Sequence, residues 1–232
     1  MNAASTYTLP FPLGSRYILT AVLSETADTV LYAARQNDMS RDVVVESLRP
    51  EAMEDHMKVQ CFLETARAQS CMSGGPIASS LELFYAEDTW HLARERIEGD
   101  PLDVMVAEGR KLPAFAVCEL MQMLCRICIC MDIEGIAGAN FLMQHVYYMA
   151  PGFRLRNPAM GGERTRTISR RVLTTAAADL LQLVDEASPH AAELCDILRR
   201  MHYPSNWTPL SPLHYDEDLV RLQERYFNFP TA

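Results

Sequence analysis

The 232-residue chain is poor in positive charge: 21 lysines and arginines face 30 aspartates and glutamates, a formal net charge of −9. Gripping nucleic-acid phosphates takes clustered cations over a broad face, so a general nucleic-acid binder is not expected. Residues Met1 to Thr6 carry no basic start and no apolar run, so no signal peptide is expected. The most apolar stretch, about Ala114 to Met131, is broken by Glu119 and Arg126, so no membrane association is expected either. Seven cysteines, an odd number without the spacing of a secreted disulfide framework, fit a reducing compartment, and the expected location is the cytoplasm. The six histidines show no His-Glu-x-x-His spacing, and there is no Gly-x-Ser-x-Gly elbow and no Gly-x-x-x-x-Gly-Lys phosphate loop. Internal repeats, heptads and low-complexity tracts are also absent.

What is present is a core-forming composition, 49% apolar and 22% charged, enough for one two-lobed domain or two small ones. After a proline-rich leader ending at Gly14, Tyr17-Ile18-Leu19 and Thr29 to Ala33 read as strands joined by the polar turn Ser24 to Asp28. Val43-Val44-Val45 is a third β-branched run. Met53 to Met72 has helical spacing through Met57, Cys61, Phe62 and Ala66, ended by Ser73-Gly74-Gly75-Pro76. Strands at about Ser80 to Phe84 and Thr89 to Ala93 precede the turn-rich linker Ile97 to Pro101. Beyond it the spacing predicts helices at about Leu102 to Ala107, Ala114 to Met131, Val172 to Asp185, Ala191 to Met201 and Asp216 to Tyr226, with short β runs near Val146 and Phe153. Strands first and helices second is an α+β order. Cys125, Cys128 and Cys130 share helical spacing, but Leu124, Ile127, Ile129 and Met131 around them favour packing over metal binding.

In Arg41-Asp42-Val43-Val44-Val45-Glu46-Ser47-Leu48-Arg49-Pro50-Glu51, apolar residues lead up to Glu46. The stretch resembles the third strand of bacterial serine/threonine protein kinases, which carries a lysine for ATP phosphates and a helix glutamate. The resemblance spans about Arg16 to Phe227 and implies a two-lobed kinase-like fold: a small antiparallel five-stranded lobe with one long helix over residues 1–97, and a reduced, mainly helical lobe over residues 98–232. It sets Glu46 at the lysine position, where a carboxylate about 4 Å from a triphosphate of roughly −4 turns attraction into repulsion, a swing of several kcal/mol. Leu23, Glu25 and Asp28 stand at the three glycines of the phosphate loop, adding bulk and like charge, although a solvated acidic turn is the simpler account of Glu25 and Asp28. Thr65 takes the place of the helix glutamate. Glu64 is one residue, about 100°, off that register. Arg94 falls at the gatekeeper position. Glu46 and Arg94 are expected either to pair across the vacated site or to reach solvent separately.

The same register lays Gly138-Ala139-Asn140 on the catalytic histidine-arginine-aspartate, so that Asn140 replaces the base and His145 the metal-binding asparagine. Asn157-Pro158-Ala159 takes the place of aspartate-phenylalanine-glycine, removing the remaining metal carboxylate. Between Met160 and Val172 the activation segment is short, and its arginines Arg164, Arg166, Arg170 and Arg171 are the chain's one concentrated positive feature. They read as a solvated loop or as a docking patch for an acidic or phosphorylated partner segment. The expectation is a pseudokinase: no catalytic, cofactor-binding or metal-binding residues, no cofactor, no bound nucleotide, and another protein, of unspecified identity, as partner. The alternatives are an atypical nucleotide-dependent transferase using Arg94, Arg96 or the arginine loop, and an unrelated α+β binding domain.

Overall fold

Alternation of side chains about the strand axis builds the first half of the chain. In the computed structural model, residues 7–72, 75–134, 143–149, 152–156, 167–203 and 211–227 are described, with 134, 167–171 and 226–227 as backbone only. The chain divides into two compact units, Met1–Ile97 and Glu98–Ala232.

The first unit is a six-stranded antiparallel sheet of β1 (Phe11–Leu13), β2 (Tyr17–Glu25), β3 (Thr29–Gln36), β4 (Arg41–Leu48), β5 (Ser80–Ala86) and β6 (Thr89–Glu95), in spatial order β1-β2-β3-β4-β6-β5. The five strands expected from the sequence are joined by a sixth, β1, which lies inside the proline-rich leader. Gly14, at φ +58°, turns the chain so that Phe11 pairs with Leu19 and Leu13 with Tyr17. The sheet curls until its far strands meet: Glu82 of β5 accepts hydrogen bonds from Arg16 at 2.7 Å and from the Tyr17 hydroxyl at 2.8 Å. Inside the curl lie Leu19, Val30, Tyr32, Val43, Val45 and Ala93, with Tyr7, Leu9 and Phe11 of the leader packed against them.

On the opposite face Leu48 and Leu92 pack against Phe62 and Ala66 of helix α2 (His56–Cys71). With both faces covered, β4 is apolar without a break from Val43 to Val45. The single helix expected over Met53 to Met72 is in fact a one-turn α1 (Pro50–Met53) followed by α2, because the Asp55 side chain accepts from the Met57 amide and starts a new helix there.

The second unit holds α3 (Leu102–Ala107), α4 (Ala114–Glu134), α5 (Thr167–Leu181), α6 (Ala191–His202) and α7 (Pro212–Phe227). By length and composition α4 could cross a membrane, but 67% of its most apolar window is buried within the protein, and Cys118 on it reaches the carbonyl of Leu219 on α7. Helix α5 packs on α6. A small antiparallel sheet, β7 (Asp100–Pro101), β8 (Val146–Met149) and β9 (Gly152–Leu155), completes the unit. Gly99 makes the β7 approach possible: at φ +142°, a Cβ there would lie 2.5 Å from the Tyr148 carbonyl oxygen.

Candidate functional site

Strand register decides which charges meet. On β4 and β6, Val44 lies opposite Arg94, so Arg94, Val44 and Glu46, two residues along, share one sheet face. Arg94 Nη2 donates to Glu46 Oε2 at 2.7 Å, with the arginine side chain 3% exposed and that of the glutamate 20%. Of the two arrangements open to the sequence, the structure has the ion pair. The cation that partners the half-buried carboxylate is supplied from within the sheet, and the buried Arg94 guanidinium is held there in turn.

The β2–β3 turn is closed by its own hydroxyl. The Thr26 amide donates to the Thr29 carbonyl at 2.8 Å, and the amides of Thr29 and Asp28 donate to Thr26 Oγ1 at 2.9 and 3.3 Å. Those N–H groups are therefore spent inside the turn and not offered to an anion. The turn is exposed from Leu23 to Ala27, and its acids are also paired: Glu25 is bonded to Arg49, itself buried, and Asp28 Oδ1 lies 2.8 Å from Lys58 Nζ. Arg49 also donates from Nε to the Thr26 carbonyl at 3.1 Å, and its amide donates to the Asp28 carbonyl at 2.8 Å. The turn is thus pinned to the start of α1 and to α2. Leu23 is 47% exposed on its outer side. On α2, Thr65 is half-buried, while Glu64 is exposed and accepts from Gln60 at 2.9 Å.

Sequence reasoning missed Arg49 and Lys58, because ions 24 and 30 residues from their partners leave no local pattern. It also missed a buried polar pair on the inner face. Ser47 Oγ and His91 Nδ1 are 2.7 Å apart, and His91 Nε2 is 3.0 Å from the Ala86 carbonyl. A carbonyl only accepts, so Nε2 carries the proton and Nδ1 accepts from Ser47. Burial holds this imidazole neutral, its pKa lowered to about 4.

In the second unit, β8 and β9 pair Val146 with Leu155 and Tyr147 with Arg154, and the Arg156 amide donates to the His145 carbonyl at 2.7 Å. His145, Tyr147, Arg154 and Arg156 therefore share one face, opposite the buried Val146 and Leu155. The Arg156 guanidinium sits 5.7 Å from the centre of the Tyr147 ring. Asn140, Asn157, Arg164 and Arg166 lie outside the described residues, and Arg170 and Arg171 are described only as backbone at the start of α5.

Among solved structures, the kinase domain of PknI from Mycobacterium tuberculosis superposes with a TM-score of 0.69, over 93% of this chain and 99% of that one, at 12% identity. A second structure of the same kinase domain gives 0.68, over 96% of this chain and all of the other, again at 12%. The chain has a protein kinase-like fold. An unrelated α+β binding domain, one of the readings open to the sequence, is overturned by that match over nearly the whole chain. At 12% identity the likeness is one of fold. No protein-family model matches the chain, and no curated protein matches it significantly. On the kinase-like fold, the register drawn from the sequence sets Glu46 at the lysine position and Arg94 at the gatekeeper, the two residues whose charges meet.

Proposed function

We propose that this chain is a catalytically inactive kinase-fold protein, a pseudokinase, that acts in the cytoplasm as a protein-binding scaffold or allosteric regulator without binding ATP. The observation that carries the reading is the Glu46–Arg94 pair. A carboxylate stands where a cation would neutralise phosphate, and Arg94 is committed to that carboxylate. The closed Thr26–Thr29 turn supports the same reading, since a phosphate clamp needs open backbone amides and acid-free space. A folded surface without phosphate chemistry is suited to partner binding. The arginines Arg164, Arg166, Arg170 and Arg171 are the first residues to replace in a partner-capture experiment, and the net charge of −9 argues against nucleic acid as the partner.

The test is calorimetric titration of the purified chain with ATP, with and without Mg²⁺, beside an active kinase domain as positive control. No heat and no change in melting at millimolar nucleotide is the expected result. Saturable Mg-ATP binding together with phosphoryl transfer to any acceptor would replace this reading with that of an atypical transferase.

A further inference from the structure

A cavity of about 300 Å³ opens within the second unit, lined by Asp103 and Val106 of α3, Met143 and Gln144 of the short turn Met143–His145, Asp179 of α5 and Gln182 just after it. That is the small end of the range for ligand pockets, room for a single long side chain. Asp179 carries the argument. Its side chain is half-buried at the cavity wall, and among the described residues no hydrogen bond or ion pair reaches its carboxylate. Burial holds this carboxyl above the usual carboxylate range, against a smaller opposing pull from His202 on α6. A carboxylate kept from water without a close counter-charge is costly, and a cation in the cavity would offset that cost.

The rest of the wall is also open to a donor. Asp103 engages only Oδ1, with the Val104 amide at 2.9 Å. Gln144 Nε2 lies 3.5 Å from His145 Nε2, which leaves the Gln144 amide oxygen to accept. Lys111 bonds the backbone carbonyl of Gln182 at 2.7 Å and not its side chain. Val106 and Met143 make the apolar part of the wall. The described residues hold no group of three histidines, cysteines or carboxylates, so this lining suits an organic cation better than a metal ion.

We propose that this cavity binds a guanidinium, the side chain of an arginine presented by the partner protein. Five N–H donors in one plane match carboxylate and amide oxygens spread over three segments of chain, whereas an ammonium concentrates its charge at one point and holds its water more strongly. Val106 and Met143 give the arginine stem an apolar surface to lie against. The inference deepens the scaffold reading above and rests on it only for the source of the arginine.

The experiment titrates the full chain with Nα-acetyl-arginine amide by calorimetry. Acetyl-citrulline amide, its neutral isostere, and acetyl-lysine amide are compared at equal ionic strength. Saturable binding of the arginine amide with a Kd of about 1 mM is expected, with the lysine amide about tenfold weaker and the citrulline amide weaker still. Asp179→Asn keeps the shape and removes the charge, and should weaken arginine binding by about tenfold; Asp103→Asn should weaken it by less. Glu217→Gln, at an exposed acid on α7, should leave it unchanged, which separates the cavity from the general attraction of an acidic chain. No saturable binding at about 10 mM arginine amide, equal binding of the citrulline or lysine amide, or wild-type affinity in Asp179→Asn overturns the proposal. Should Asp179→Asn fail to fold, unchanged affinity in Asp103→Asn overturns it instead. The Mg-ATP titration reads the pseudokinase proposal independently, so failure of one leaves the other standing.

Discussion

Replacing Arg94 with methionine, which keeps volume and removes charge, isolates the interaction on which the functional reading depends. At the observed 2.7 Å, opposite charges attract by about 6 kcal/mol at an effective dielectric near 20. Desolvation of both groups offsets most of that, so the intact pair adds little net stability. Removing one partner is different, because the other charge stays behind. Breaking a buried pair costs about 3–5 kcal/mol. Glu46 is 20% exposed and can regain some water, which sets the expectation for Arg94→Met at the lower end, about 3 kcal/mol or about 8 °C in melting temperature for a chain this size. Glu46→Met leaves the more deeply buried guanidinium uncompensated and should cost at least as much. The double variant Glu46→Met/Arg94→Met should return to within about 1 kcal/mol of wild type, because an apolar pair of similar volume replaces the ions. Urea denaturation followed by circular dichroism gives all four corners of the cycle, and these costs imply a coupling of about 5 kcal/mol. If both single variants lie within about 0.5 kcal/mol of wild type with no coupling, the pair is not closed in solution, and the account of the site built on it fails.

Stability should also depend on pH through His91. The unfolded imidazole binds a proton below about pH 6.5, whereas the folded one resists until about pH 4. Stability is therefore full above pH 6.5 and is lost as pH falls towards 4, by about 3 kcal/mol in total; denaturation at stepped pH should show that slope, and His91→Gln should flatten it. Gly99→Ala should destabilise the second unit by more than about 2 kcal/mol in urea, since its Cβ would meet the Tyr148 carbonyl oxygen at 2.5 Å and the Met149 side chain at 2.8 Å. Gly109→Ala, at φ +68° with nothing within 4 Å, should cost only the left-handed backbone penalty of about 1 kcal/mol. A thiol reagent at pH 8 should react rapidly with the exposed Cys61, Cys71 and Cys130 and with the other four cysteines only after unfolding. Burial raises the pKa of Cys118 and Cys125 to about 12 and that of Cys128 higher still.

The strands and helices were legible wherever one period ran long enough to be counted. Val43-Val44-Val45 reads as β from branching alone, and Ala191 to Met201 reads as a helix from its apolar stripe, which the structure ends one residue later at His202. Strand β1 was not legible. Three residues, one of them Pro12, carry no measurable alternation, and what makes them a strand is the pairing that Gly14 permits. Long-range charge pairing is harder still to read. Glu46 and Arg94 are 48 residues apart, and only the register borrowed from a kinase-like strand order brought them together. Arg49 and Glu25 had no such register to reveal them. Arg156 was passed over because it lies one step beyond the apolar core of its strand, where the two-residue period still holds but the β propensity has ended.

The Glu46–Arg94 pair also sets what a lysine at position 46 would cost. With Arg94 in contact, the two charges depend on each other: Glu46→Lys would set a second cation against a guanidinium that is 3% exposed, turning the attraction at this spot into repulsion of similar size. Such a variant should therefore be less stable than Arg94→Met, which leaves one partly solvated carboxylate, and it should still not bind Mg-ATP, because the turn amides of Thr26, Asp28 and Thr29 remain engaged. Phosphate binding at this place would need residues 46 and 94 to change together and the turn to open, three requirements that no single substitution meets. Ordinary strand register thus places a guanidinium against the acid at position 46.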